Sequence, residues 1–342
     1  MSALTACNDT LTALQAEFAA CGCPSNATAV DPCAYVAPNN YDYGLHVGAV
    51  FIILACSTLG VMLPIISAKR GGSSMGYYVA LGKHIGTGIV LACGLIHMLQ
   101  PASASLTDPC VPYEFNTDYP AYAFLFAMLS AIIMHFVETA AIEYVADRYP
   151  EDNASVAADN ETATSKQMND DASSAHSLVD RHLVQSYTIE LALTVHSVFI
   201  GLAVGTVGYD DLVALLTALC FHQAFEGVAL GARLADAPLS RLQTALFVLV
   251  FVLSAPVGIA CGIVYSATVN PSGITYLLVE GTFDGLCAGL LLYVGFQLLF
   301  FDFREDMKKY CRSSPRKNWM RAGLFVALWT GAGFMAYIGK YL

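Results

Sequence analysis

Apolar runs of about 20 residues, long enough to cross roughly 30 Å of hydrocarbon as an α-helix, recur along this chain. They lie near residues 46–67, 84–101, 120–145, 187–206, 211–234, 243–267, 275–301 and 322–341. Strands of a membrane barrel would instead alternate apolar and polar positions over about ten residues, and no such alternation is present. The pattern predicts an all-α polytopic membrane protein of eight transmembrane helices. Composition agrees: hydrophobic residues make up 56% of the 342 positions and charged residues 13%, against about 25% charged in soluble domains. Mean hydropathy is +0.56.

Charge then orients the helices. Fifteen of the sixteen Lys and Arg residues fall in alternate loops on one side, and only Lys340 lies at the far end. Basic residues mark the cytoplasmic face, so both termini are expected to be extracytoplasmic. Residues 1–45 form an extracytoplasmic, cysteine-containing segment without the apolar core of a cleavable leader. Residues 46–145 hold helices 1–3, and residues 187–342 hold helices 4–8. Between them, 146–186 is an acidic stretch rich in Ser, Thr and Ala and poor in aromatics, expected to be disordered. Of eleven cysteines, Cys7, Cys21, Cys23, Cys33 and Cys110 fall outside, where disulfides persist, with their pairing open. Cys56, Cys93, Cys220, Cys261 and Cys287 lie in the apolar runs and read as small packing residues.

The polar positions inside those runs carry the chemistry, because an ionisable group in a membrane helix is costly and by default faces an interior or a pathway. The stretches HSVFIGLAVG from His196 and HQAFEGVALG from His222 share a histidine, a phenylalanine, an alanine and both glycines. His196 lies nine residues beyond Tyr187, and His222 eleven beyond Asp211. At about 1.5 Å per residue both sit near the midplane, on consecutive antiparallel helices. Glu226 follows His222 by one turn and shares its face. Imidazole plus carboxylate suits zinc, ferrous iron or manganese, and no cysteine occupies this face at matching register, which argues against a copper(I) or purely thiolate site. The two GxxxG stretches, Gly201–Gly205 and Gly227–Gly231, allow close helix approach and were expected to bring the two histidine faces together. Weaker pathway candidates are His97, Glu190, Glu280 and Asp284, with His135 and Glu138 on helix 3.

These residues resemble the ZIP (Zrt/Irt-like) family of divalent-metal transporters. The likeness rests on Glu190 to Gly201 in helix 4 and His222-Gln223-Ala-Phe-Glu226-Gly227 in helix 5. Gly94-Leu-Ile-His97, Ala255-Pro256-Val-Gly258 and Ala288-Gly289 add support. The resemblance implies eight helices with both termini outside, often in homodimers. It implies a midplane metal site between helices 4 and 5, and transport into the cytosol by alternating access. By position, His196, His222 and Glu226 would be principal ligands, Ser197 and Gln223 polar neighbours, and His97 part of the route. Ile200 and Gln223 stand where some members add a second metal position, so one metal at a time is expected. The acidic loop carries only His176 and His182, too few for metal buffering.

The expected substrate is zinc, with ferrous iron next and manganese third, and no prosthetic group. The partners are the lipid bilayer and the metal itself, with no nucleic acid. The plasma membrane is the expected location, an organelle membrane the alternative. An integral-membrane metalloprotease would need HExxH, which is absent, so no enzymatic activity is expected. A metal-sensing receptor is the other alternative and would require no midplane ligands.

Overall fold

In lipid every backbone polar group must be satisfied within the chain, so the apolar runs have little choice but to be helical. The computed structural model describes residues 33, 40–70, 73–148, 163–237, 239–266, 273–312 and 315–340. Among these no strand occurs, and eight helices are long and apolar enough to span a membrane. We label them α1 (Tyr43–Arg70), α3 (Tyr122–Arg148), α4 (Ala163–Thr206), α5 (Tyr209–Asp236), α6 (Arg241–Ser266) and α8 (Lys317–Ile338). The remaining two change pitch along their length. α2 runs from α-helix Ser73–Ala92 through a π-helical stretch Cys93–Leu99 into α-helix Gln100–Leu106. α7 runs from Ile274–Gln297 through a π-helical stretch Leu298–Asp302 into Phe303–Cys311.

The helices associate in two groups. The most extensive pairings are α4 with α6 and α1 with α5, linked through α1 with α6. The second group pairs α2 with α8 and α3 with α7, linked through α2 with α7. The groups meet mainly where α2 lies on α5 and α7 on α4. The main core fills this junction, with Ile89 and Val90 of α2, Leu193 of α4, Leu230 of α5 and Leu291 of α7 all buried. Large apolar side chains such as Leu59, Phe136 and Leu242 point outward, the surface a lipid-facing bundle presents.

Three expectations change. The acidic stretch is helical from Ala163 onward. No Pro or Gly interrupts 163–200, and its many Ala, Leu, Met and Gln residues are good helix formers. Residues 149–162 lie outside the described residues. Secondly, α2 and α7 extend well beyond their apolar runs, taking in Lys83, Asp302 and Asp306. An apolar scan stops at such charges, but here they are buried and paired with one another. Thirdly, the glycine motifs do not join α4 to α5. A Cβ at Gly201 would lie 2.3 Å from the Ala255 carbonyl oxygen of α6, and one at Gly231 2.2 Å from that of Val61 in α1. Gly201 sits five residues after His196 and Gly231 nine after His222, about 140° and 180° around a regular helix. The glycines therefore clamp α4 and α5 onto α6 and α1, and the opposite faces are left to carry the histidines.

The Cys33–Cys110 disulfide, with a Cα–Cα distance of 5.5 Å, ties the segment before α1 to the α2–α3 connection. The pairing left open by the sequence is resolved for these two. Cys7, Cys21 and Cys23 lie outside the described residues.

Candidate metal site

His196 on α4 and His222 on α5 point their Nε2 atoms at each other across 3.0 Å. Glu226, one turn along α5, brings Oε1 to 3.2 Å from His222 Nε2 and 3.4 Å from His196 Nε2. All three side chains are completely buried. Neither Glu226 oxygen receives a hydrogen bond from any described residue. A buried carboxylate without donors is unstable unless a cation or protons approach it.

A fourth donor arrives from α2. Cys93 Sγ lies 3.2 Å from His196 Nε2 and 3.9 Å from His222 Nε2. The four ligand atoms of Cys93, His196, His222 and Glu226 lie within 4.8 Å of one another, and all four residues are buried. This corrects the reading of Cys93 as a packing residue and of the site as free of cysteine. The depth argument that selected the histidines would have found it, since Cys93 is nine residues beyond His84, near the middle of its run.

Helical periodicity would have misplaced its neighbours. His196 Nδ1 lies 3.0 Å from the Met98 sulfur, so Met98 and Cys93 touch the same imidazole. Five residues apart on an α-helix, they would diverge by about 140°. The π-helical stretch, with its i→i+5 repeat, carries both onto one side. An Nδ1–H donated to the thioether leaves the His196 Nε2 lone pair free for the centre of the cluster. Fixing the tautomer through the other ring nitrogen is a general feature of metal-binding histidines.

The other predicted residues divide. Ser197 and Gln223 are buried beside the cluster but bond to each other, Gln223 Nε2 donating to Ser197 Oγ at 3.4 Å. His97 donates from Nε2 to the Met335 carbonyl at 3.0 Å, its ring centroid 5.5 Å from that of His222. It lines a cavity of about 260 Å³ together with Met98, Ile200, Glu280 and Asp284. That cavity lies on the side of the cluster toward the α2–α3 connection. Glu280 is tethered there, accepting from Tyr276 at 2.9 Å and Ser105 at 3.1 Å. Glu190 is buried and accepts from Thr194 at 3.3 Å; it does not join the cluster. His135 and Glu138 are not brought to the site. Both bond across the α3–α7 seam, His135 with the Tyr293 hydroxyl at 3.1 Å and Glu138 with Gln297 at 2.6 Å.

On the opposite side of the cluster the two helix groups are joined by charge. Arg233 of α5 donates to Asp302 of α7 and, at 2.5 Å, to Gln185 of α4. Lys83 of α2 reaches Asp306 at 2.5 Å and Asp302 at 3.8 Å, and His84 reaches Asp306 at 3.1 Å.

Eight helices long and apolar enough to span a membrane, packed around a buried His–His–Glu–Cys cluster whose donors could hold a metal ion, with a cavity beside it lined by His97 and Met98, define a multi-pass membrane protein. The family model described as ZIP Zinc transporter matches residues 43–339, and the chain belongs to that family. Among curated relatives, zinc transporter 5 of Oryza sativa subsp. japonica is 33% identical, with 86% of each chain covered. Zinc-regulated transporter 1 of Saccharomyces cerevisiae is 30% identical over 90% of each chain. The Oryza sativa Fe(2+) transport protein 1 is 29% identical over 94% of this chain and 90% of its own.

Proposed function

We propose that this chain carries divalent metal cations, zinc first and ferrous iron next, across a membrane into the cytosol. The ion binds between α4 and α5 at His196, His222 and Glu226, and moves by alternating access. The observation that carries this reading is the convergence of two Nε2 atoms on an unsatisfied, fully buried carboxylate. In tetrahedral zinc sites, bonds of about 2.0–2.2 Å to nitrogen and oxygen place neighbouring donors about 3.3 Å apart. The separations of 3.0, 3.2 and 3.4 Å found here lie around that value.

The asymmetry of the two sides supports a gated route. Toward the disulfide, the cavity lined by His97, Glu280 and Asp284 offers an approach with metal-ligating side chains along it. Toward the basic loops, the Arg233–Asp302 pair and the 3.6 Å approach of Lys83 to Asp236 of α5 close the groups together. Disulfides persist on the oxidising side and basic loops mark the cytoplasm, so the open side is the extracytoplasmic one. The plasma membrane is the membrane this orientation fits. Names among the relatives include both zinc and Fe(2+) transporters, consistent with a donor set that accepts either ion.

The test is parallel uptake of labelled zinc and labelled ferrous iron into cells expressing the chain or its Glu226→Ala variant, normalised to protein at the surface. Uptake of either metal by the wild type and background uptake by the variant is the expected result. Equal uptake by the two would remove Glu226 from the site.

A further inference from the structure

We propose that Cys93 is a fourth ligand, and that its thiolate tunes the site toward thiophilic divalent cations such as zinc and cadmium and away from manganese. This deepens the reading above and rests on it. The sulfur is fully buried in α2 and approaches both ligand nitrogens, at 3.2 and 3.9 Å. For a tetrahedral zinc with bonds of about 2.0 Å to nitrogen and 2.3 Å to sulfur, the nitrogen–sulfur separation is about 3.5 Å. The observed pair brackets that value. A second observation points to a ligand at the same place. Both Glu226 oxygens, which face the cluster, are buried without hydrogen-bond partners among the described residues, and a bound cation beside the sulfur would satisfy them.

Charge favours the same conclusion. Two neutral imidazoles and one carboxylate leave a bound dication with a net positive charge at the centre of the membrane. Adding a thiolate makes the complex neutral, the thiol proton being released as the sulfur–metal bond forms. A buried net charge is costly, so the neutral complex is favoured in this dry core. Thiolate ligands favour soft and borderline ions, whereas carboxylate and water suit manganese. Cys93 also comes from the opposite helix group to the other three donors. The fourth bond therefore spans the junction between the groups.

The test uses the purified full-length chain and cobalt(II) as a spectroscopic stand-in for zinc. Wild type is expected to show visible d–d bands of bound cobalt plus a near-ultraviolet sulfur-to-cobalt charge-transfer band. Cys93→Ser is expected to lose the charge-transfer band and keep the d–d bands, with Cys93→Ala as a check free of the serine hydroxyl. In transport, the ratio of cadmium to manganese uptake should fall by about tenfold or more in both variants, the scale on which metal-site changes act. Bound cobalt without a charge-transfer band in the wild type, or a band that survives Cys93→Ala, would overturn the thiolate. Cobalt binding that is absent, or indifferent to Glu226→Gln, would overturn the central site itself and the thiolate with it.

Discussion

At the scale of single residues, the site depends on side chains held from behind as much as on the donors. Met98 makes no bond to a metal in this arrangement, yet its sulfur lies 3.0 Å from His196 Nδ1 and sets which nitrogen faces the cluster. Met98→Leu keeps the volume and removes the acceptor. Partners of this kind typically contribute 10–100-fold in metal affinity. We expect Met98→Leu to raise the KM for zinc uptake by about tenfold, at unchanged surface abundance and with a smaller change in maximal rate. A titration of initial uptake rates against zinc concentration checks it, and an unchanged KM would show that His196 needs no such support. His196, His222 and Glu226 were legible in the sequence because depth and a four-residue spacing follow from regular helix geometry. Cys93 lay within reach of the same depth argument, whereas Met98 did not, because its sharing a direction with Cys93 depends on a π-helical stretch that no α-helical wheel anticipates.

At the scale of elements, the existence of every helix was legible and the partners of the helices were not. A GxxxG stripe states that something approaches closely, but not which helix. Gly258 of α6 is the reciprocal contact, where an added Cβ would lie 2.2 Å from the Val198 carbonyl oxygen of α4. Backbone cannot yield as a side-chain tip can. Gly258→Ala should therefore force α4 and α6 apart and cost about 1–3 kcal/mol, the usual range for overpacking. Gly48 of α1 supplies the control, since nothing lies within 4 Å of its added Cβ. Gly48→Ala should be neutral or stabilising by up to about 1 kcal/mol through helix propensity alone. Thermal melts of the two purified variants separate the cases. Equal melting temperatures would mean that the α4–α6 contact is looser than the glycine stripe indicates. The same packing positions His196, so Gly258→Ala is also expected to weaken zinc uptake.

At the scale of the whole molecule, the two helix groups are joined unequally at their two ends. A cavity separates them on one side of the cluster, and a buried charge network joins them on the other. The sequence displayed the parity of the spans and the one-sided basic loops, because those are additive along the chain. It could not display the network, whose members lie on α2, α4, α5 and α7 and meet only once the groups pack. Two cations, Lys83 and Arg233, there face two buried carboxylates, Asp302 and Asp306, with the more exposed Asp236 3.6 Å from Lys83 at the edge. Arg233 and Asp302 are each only 2% exposed, so neither can turn to water if its partner is lost. Removing one member of such a pair strands a buried charge and typically costs 3–5 kcal/mol, whereas replacing both with apolar residues is often neutral. Arg233→Met should accordingly lower stability by about 3 kcal/mol or more. The Arg233→Met/Asp302→Leu double variant, leaving Lys83 and Asp306 to balance each other, should recover most of that loss. Thermal melts of the single and double variants measure the coupling. If the double variant were no more stable than Arg233→Met, the network would owe its contribution to packing of the arginine stem and its bond to Gln185 rather than to charge balance. If recovery is seen, the same pair of variants isolates what the charged closure does in transport. The double variant would then hold the fold while lacking the Arg233–Asp302 link between the groups, and its zinc uptake would report how much that link contributes to transport.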